Sequence, residues 1–138
     1  MADPELWVFE TLAQPGALAE IRKTLSQVWA AHHEVPRSVQ AEMSIATGEI
    51  AANIMEHAGR DRTVHIRMEV MVLPDEVQVR FIDDGHESKV DLSTVRLPDE
   101  TVERGCGLAI AKAVLRRLSY QRTPDGNHWN LVSERFSL

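Results

Sequence analysis

Cysteine is nearly absent from this chain: its 138 residues hold one, Cys106. A single thiol excludes an internal disulfide and a cysteine-based zinc site, and it suits a reducing cytosol. A surplus of positive charge is missing as well. Fifteen Lys and Arg stand against twenty-one Asp and Glu, a formal net charge of −6, with no basic run. Nothing in that balance attracts a polyanion, so neither nucleic acid nor an anionic membrane is expected as a direct partner. No apolar run approaches the roughly 20 residues of a membrane-crossing helix, and the N-terminus carries acids where a secretory leader would carry bases. Repeats, low-complexity tracts and linkers are also lacking. The remainder is ordinary globular composition, 43% hydrophobic and 26% charged, in a length that fits one cytoplasmic domain over residues 1–138.

Periodicity is what the chain does have. Leu6 to Leu12 reads as a strand, with Leu6 and Val8 on one face and Trp7 and Phe9 on the other. After Pro15-Gly16, Leu18, Ile21, Leu25 and Val28 recur at helical spacing. Val35-Pro36 breaks that helix, and Ser38 is the expected cap of the next. The second helix carries Val39, Met43, Ala46, Ile50 and Ile54 as one buried stripe. At about 100° per residue, Glu42, Glu49 and Asn53 run along its border.

Val64 to Leu73 alternates strictly, and Val77, Val79 and Phe81 alternate again after Pro74-Asp75-Glu76, which predicts an antiparallel hairpin ending at Asp83. Residues 84–104 are polar and patternless, a length that fits a functional lid better than a connector. A helix then opens at Gly105-Cys106-Gly107, with Leu108, Ala111, Leu115 and Leu118 on one face. A last hairpin, Tyr120 to Thr123 and His128 to Phe136, turns around Pro124-Asp125-Gly126-Asn127. The order predicts an α/β two-layer sandwich, a mostly antiparallel mixed sheet with helices on one face. Strands and helices alternate too irregularly for a Rossmann arrangement.

Three short segments carry chemistry. Glu49 and Asn53 lie one helical turn apart and address one small volume: a carboxylate able to take a proton and an uncharged oxygen suited to magnesium. The bland alternative is a solvated helix edge. Asp83, at a strand end, can accept a hydrogen bond from an exocyclic amine such as that of adenine, and Gly85 permits close backbone approach or a positive φ; the alternative is a strand-ending turn. Gly105 and Gly107 at a helix start let backbone N–H groups converge on phosphate, with Arg104 as a direct contact and Cys106 a residue of the same loop. A flexible entry to a helix would look the same. His57, one turn past Asn53, is a candidate phosphate contact or a hydrogen-bonded helix-end residue.

Taken in order, Glu49-x-x-x-Asn53, Asp83-x-Gly85 and Gly105-x-Gly107-Leu108 resemble the N, G1 and G2 boxes of the GHKL ATPase/kinase superfamily. Within it, the short chain, the stretch Gly48 to Ala58 and the ending Gly126-Asn127-x-x-x-Leu131 look most like anti-sigma serine/threonine kinases of the RsbW/SpoIIAB group. The resemblance implies a Bergerat fold, with ATP and Mg2+ as cofactors. Glu49 would be the general base, Asn53 the magnesium ligand and Asp83 the reader of adenine. Gly85, Arg104, Gly105, Cys106, Gly107, Leu108 and His57 would complete the nucleotide-binding set. The implied partners are an anti-anti-sigma antagonist of the STAS type, phosphorylated on Ser or Thr, and a sigma factor held in its place, with a homodimer as the assembly. The chain departs from the family at Glu87, where the G1 pattern Asp-x-Gly-x-Gly has its second glycine. A non-catalytic, nucleotide-dependent interaction module is the alternative from another class. The ATP-binding half of a histidine kinase fits less well, because no dimerisation helices with a phosphoacceptor His stand upstream.

Overall fold

The computed structural model describes residues 5–57, 62–95 and 107–137, with His57 by its backbone alone. The elements are β1 (Glu5–Leu12), α1 (Ala17–Ala31), α2 (Arg37–His57), β2 (His65–Val72), β3 (Val77–Asp83), a 3-10 turn (Leu92–Thr94), α3 (Gly107–Val114), β4 (Arg117–Thr123) and β5 (Gly126–Val132). The strands form one sheet in the order β1-β2-β3-β5-β4. Every neighbouring pair is antiparallel, so among the described residues the sheet contains no parallel pairing that would make it mixed.

The pleat sorts the side chains. Ile66, Met68, Val70 and Val72 of β2 and Val77, Val79 and Phe81 of β3 face the helices and are buried. Trp129 and Leu131 of β5 join them, and Trp7 and Phe9 of β1 close the side. Helix α1 contributes Ile21, Leu25 and Val28, and α2 contributes Val39, Met43, Ala46, Ile50 and Ile54. The opposite sheet face has no helix among the described residues. It carries a ladder in which Arg67 meets Glu10 at 2.9 Å and Glu69 at 3.0 Å, exposed pairs worth little individually. No described helix is long and apolar enough to cross a membrane.

Several boundaries differ from the sequence reading, among them the end of the last strand, which stops at Val132 and not at Phe136. Helix α2 starts at Arg37, so Ser38 lies inside its first turn and does not cap it. There Gln40 donates from its backbone to Pro36 O at 3.0 Å and from Nε2 to Val35 O at 2.9 Å. Helix α3 ends at Val114, and Leu118 belongs to β4, whose exposed edge position leaves weak alternation to read. The last strand begins at Gly126, because Pro124 and Asp125 alone form the two-residue loop between Thr123 and Gly126. This strand lies between β3 and β4, and its register sets Asn127 opposite Asp83.

Candidate functional site

The apolar stripe of α2 packs on the sheet, which fixes the residues on its border. Glu49 and Asn53 are both half-buried there. No described residue hydrogen-bonds or pairs with either side chain. Glu49 points to the first turn of α3: a Cβ built on Gly107 would lie 2.5 Å from Glu49 Oε2. Glycine at 107 therefore makes room for the carboxylate, and a side chain there would displace it. On its other side Glu49 lines an open concavity between α1 and α2, with Arg22, Ile45 and Gly48. The carboxylate is thus reachable from outside and adjacent to the glycine-bearing segment at once.

Asp83 closes the helix-facing side of β3 and is buried. Its Oδ1 accepts from the Gly85 N–H at 3.0 Å and from Asn127 Nδ2 at 2.8 Å. Burial pushes its carboxyl above the usual range, an effect opposed by those two hydrogen bonds. Asp84 turns to the other side, as its place in the pleat requires, and accepts from the His65 N–H at 2.8 Å. Of the two roles open to Gly85, positive φ is not the one adopted: it is found only at Gly16 and Gly126 among the described glycines.

Asn53, Asp83, Asn127, Trp129 and the segment His86–Ser88 enclose a cavity of about 40 Å³. Ligand-sized pockets run to roughly 300–1,000 Å³, so this cavity is too small for a nucleotide with the segment where it stands. Two of the larger concavities, about 430 and 400 Å³, include neither Glu49 nor Asn53 in their lining, although the first, at the end of the sheet, is lined by Asp83. Glu87, exposed, stands at the mouth of the small cavity, and its charge adds to the burial that raises the Tyr120 phenol. The far end of the segment is tied to α3 by Lys112, whose Nζ donates to Leu92 O at 2.7 Å and Val95 O at 3.1 Å.

Sequence reasoning missed the residues that hold this segment. Asn127 Nδ2 donates to His86 O at 2.8 Å as well as to Asp83. The Tyr120 hydroxyl donates to Asn127 Oδ1 through a short hydrogen bond and accepts from the Ser88 N–H at 2.8 Å. Arg122 Nη1 donates to Gly85 O at 2.7 Å and to Asn127 Oδ1 at 3.2 Å. One signal was present: Asn127 shares the inward phase of Trp129 and Leu131, and a polar residue in an inward position needs partners.

Of the remaining expected site residues, Gly107 and Leu108 open α3, Leu108 packing on the core. Arg104, Gly105, Cys106 and the His57 side chain lie outside the described residues. Among the described residues no group of three or more His, Cys, Asp or Glu is arranged to hold a metal. Magnesium is often held by few protein ligands, with phosphate and water completing its shell, and the carboxamide oxygen of Asn53, without a partner among the described residues, would be a donor suited to it.

Residues 11–132 match the histidine kinase-like ATPase domain family, and the chain belongs to it. A comparison with curated proteins returns no match. Among solved structures, the RsbU and RsbW domains of Rv1364c from Mycobacterium tuberculosis align with a TM-score of 0.66 and 18% identity, over 95% of this chain and 32% of that one. The histidine kinase domain of the Erythrobacter litoralis blue-light activated histidine kinase gives 0.54 and 17%, over 82% and 60%. The catalytic domain of the histidine kinase ThkA gives 0.56 and 11%, over 97% and 99%. At these identities the likeness is one of fold. The chain spans about a third of the first of these chains.

Proposed function

We propose that this domain is an ATP-dependent serine/threonine protein kinase of the anti-sigma type, which phosphorylates an anti-anti-sigma partner and otherwise holds a sigma factor. The observation that carries this reading is the Glu49 carboxylate, without a partner among the described residues, set against Gly107 and open to the α1–α2 side. A partner's hydroxyl oxygen attacks the γ-phosphorus of ATP, the bond to the β-phosphate oxygen breaks, ADP leaves, and the hydroxyl proton passes to Glu49. Asp83 holds the base by an exocyclic amine. Asn53 would hold magnesium, whose charge offsets that of the phosphates. The likeness to a fold containing an RsbW domain supports the anti-sigma assignment. Phosphate on the antagonist adds roughly −1.5 to −2 charge to an interface, enough to release it and let the sigma factor replace it.

Incubation with labelled ATP, magnesium and a STAS-type antagonist tests the proposal. Phosphate should appear on Ser or Thr of the antagonist. Asn53→Ala should weaken magnesium-dependent ATP binding about tenfold or more, the loss of a hydrogen-bond-scale contact to a charged group, and leave magnesium-free binding nearly unchanged. Failure to bind ATP at millimolar concentration sinks the site assignment. Glu87 at the mouth of a small cavity favours one second reading, a module that binds nucleotide without transfer; bound ATP with no phosphate on any partner would select it.

Acidity offers a separate check. With Oδ1 filled by two donors, protonation of Asp83 falls on Oδ2 and weakens it as an acceptor, and its carboxyl is raised above the ordinary 3.8, so ATP affinity should fall at a pH above the usual aspartate range. The folding sign is opposite. A raised folded-state value means the ionised form opposes folding, and that opposition fades as the pH falls through the raised value towards 3.8. Calorimetric ATP titrations at descending pH, with urea melts of the free protein referenced to Asp83→Asn, should show affinity falling while Asp83's contribution to stability improves. Parallel falls in both would contradict the assignment.

A further inference from the structure

We propose that Asn127 decides which base the site accepts, by holding Asp83 so that one carboxylate oxygen is filled and the other is left to meet an amine. The inference rests on the nucleotide reading above and assigns a positioning residue to it. Asn127 and Asp83 are cross-strand partners on β5 and β3, each 2% exposed. A carboxamide has one acceptor oxygen and two N–H donors. Here the oxygen is claimed by the Tyr120 hydroxyl and Arg122 Nη1, both donors. A flipped amide would set its own N–H groups against two donors, so the orientation is fixed and Nδ2 must face Asp83 and the carbonyl of His86.

The consequence falls on Asp83. Its Oδ1 is occupied by Asn127 Nδ2 and the Gly85 N–H. No described residue donates to Oδ2, and that oxygen is not among the sealed, unsatisfied atoms. Asp83 also lines the cavity shared with Asn53 and Trp129. An ionised carboxylate held this way presents only an acceptor. A 6-aminopurine brings a donor to it; a 6-oxopurine brings a lone pair and is repelled. Charge-assisted hydrogen bonds and their loss are worth enough for about 10- to 100-fold discrimination.

Asn127→Asp changes this with little change in volume. Tyr120 and Arg122 keep an acceptor at position 127, but two carboxylates then face each other across the strand pair. They cannot both ionise, and with the retained proton on Asp83 Oδ2 the pair donates to a 6-oxo group. Asn127→Ala removes the donor without adding a charge and guards against a folding failure of the first variant. Asn127 also ties His86 and Gly85 carbonyls, but loosening that segment acts on every nucleotide equally and cancels in a ratio.

The experiment is equilibrium displacement of trinitrophenyl-ATP by ATP and by inosine triphosphate, with folding followed by circular dichroism. Wild type should prefer ATP at least tenfold. Asn127→Asp should lower the ATP-to-ITP ratio at least tenfold with ITP affinity rising, and Asn127→Ala should lower it severalfold. A ratio within twofold of wild type in both variants overturns the role of Asn127 and leaves the nucleotide reading standing. A wild type that binds ATP and ITP equally also overturns it, whereas a wild type that binds neither removes the nucleotide reading itself.

Discussion

Glu49→Gln is expected to lower phosphoryl transfer about 10²- to 10⁴-fold while ATP affinity stays within a few-fold of wild type. The substitution keeps the shape and removes the only property the chemistry needs, a site for the hydroxyl proton. Stability should hardly change, because no described residue hydrogen-bonds to the carboxylate and nothing is left unpaired when it becomes an amide. Gly107→Ala is the companion variant. Its Cβ would meet Glu49 Oε2 at 2.5 Å, and the atom in the way ends a flexible side chain, so the carboxylate swings aside and the fold survives. Transfer should therefore drop in a protein that still melts like wild type. Single-turnover transfer, nucleotide affinity and a denaturation curve on the same preparations separate these effects. Wild-type transfer by Glu49→Gln would remove Glu49 from the chemistry and return the α2 border to a solvated helix edge.

That border was legible from the chain alone, and the reason is local. The stripe from Val39 to Ile54 and the alternation from Val64 to Val72 each arise within a single element, so spacing maps directly onto a face. Asp83 and Asp84 were separable for the same reason, since neighbours on a strand point to opposite sides. Only the start of β4 resisted, because Leu118 continues the helical spacing of Leu108, Ala111 and Leu115 as well as the strand phase of Tyr120. Asn127, Tyr120 and Arg122 resisted for a different reason. Their role depends on β5 entering between β3 and β4, and a pairing between residues 44 positions apart leaves no local trace. The family resemblance marked Gly126-Asn127 as an ending, and only the register turned it into part of the site.

Gly126→Ala should cost about 3–4 kcal/mol of unfolding free energy, through two penalties at one atom. Gly126 has φ of 130°, a backbone region that L side chains rarely adopt. Its Cβ would also overlap the Asp83 carbonyl oxygen, far inside van der Waals contact, with the Asp83 carbonyl carbon 3.1 Å away. Both obstructing atoms are backbone at the end of a buried strand, so neither can rotate aside. Relief requires β3 and the Thr123–Gly126 turn to part, which moves Asp83 out of register with Asn127. Gly16→Ala isolates the first penalty. Gly16 has φ of 95° and nothing within 4 Å of its missing Cβ, so alanine there meets backbone strain alone, about 1 kcal/mol. Urea denaturation of both variants should give a difference of roughly 2–3 kcal/mol, and only Gly126→Ala should also lose nucleotide affinity. Equal losses of stability would mean that the approach of the turn to Asp83 is not as close as the structure has it, and the register that brings Asn127 to the site would fall with it.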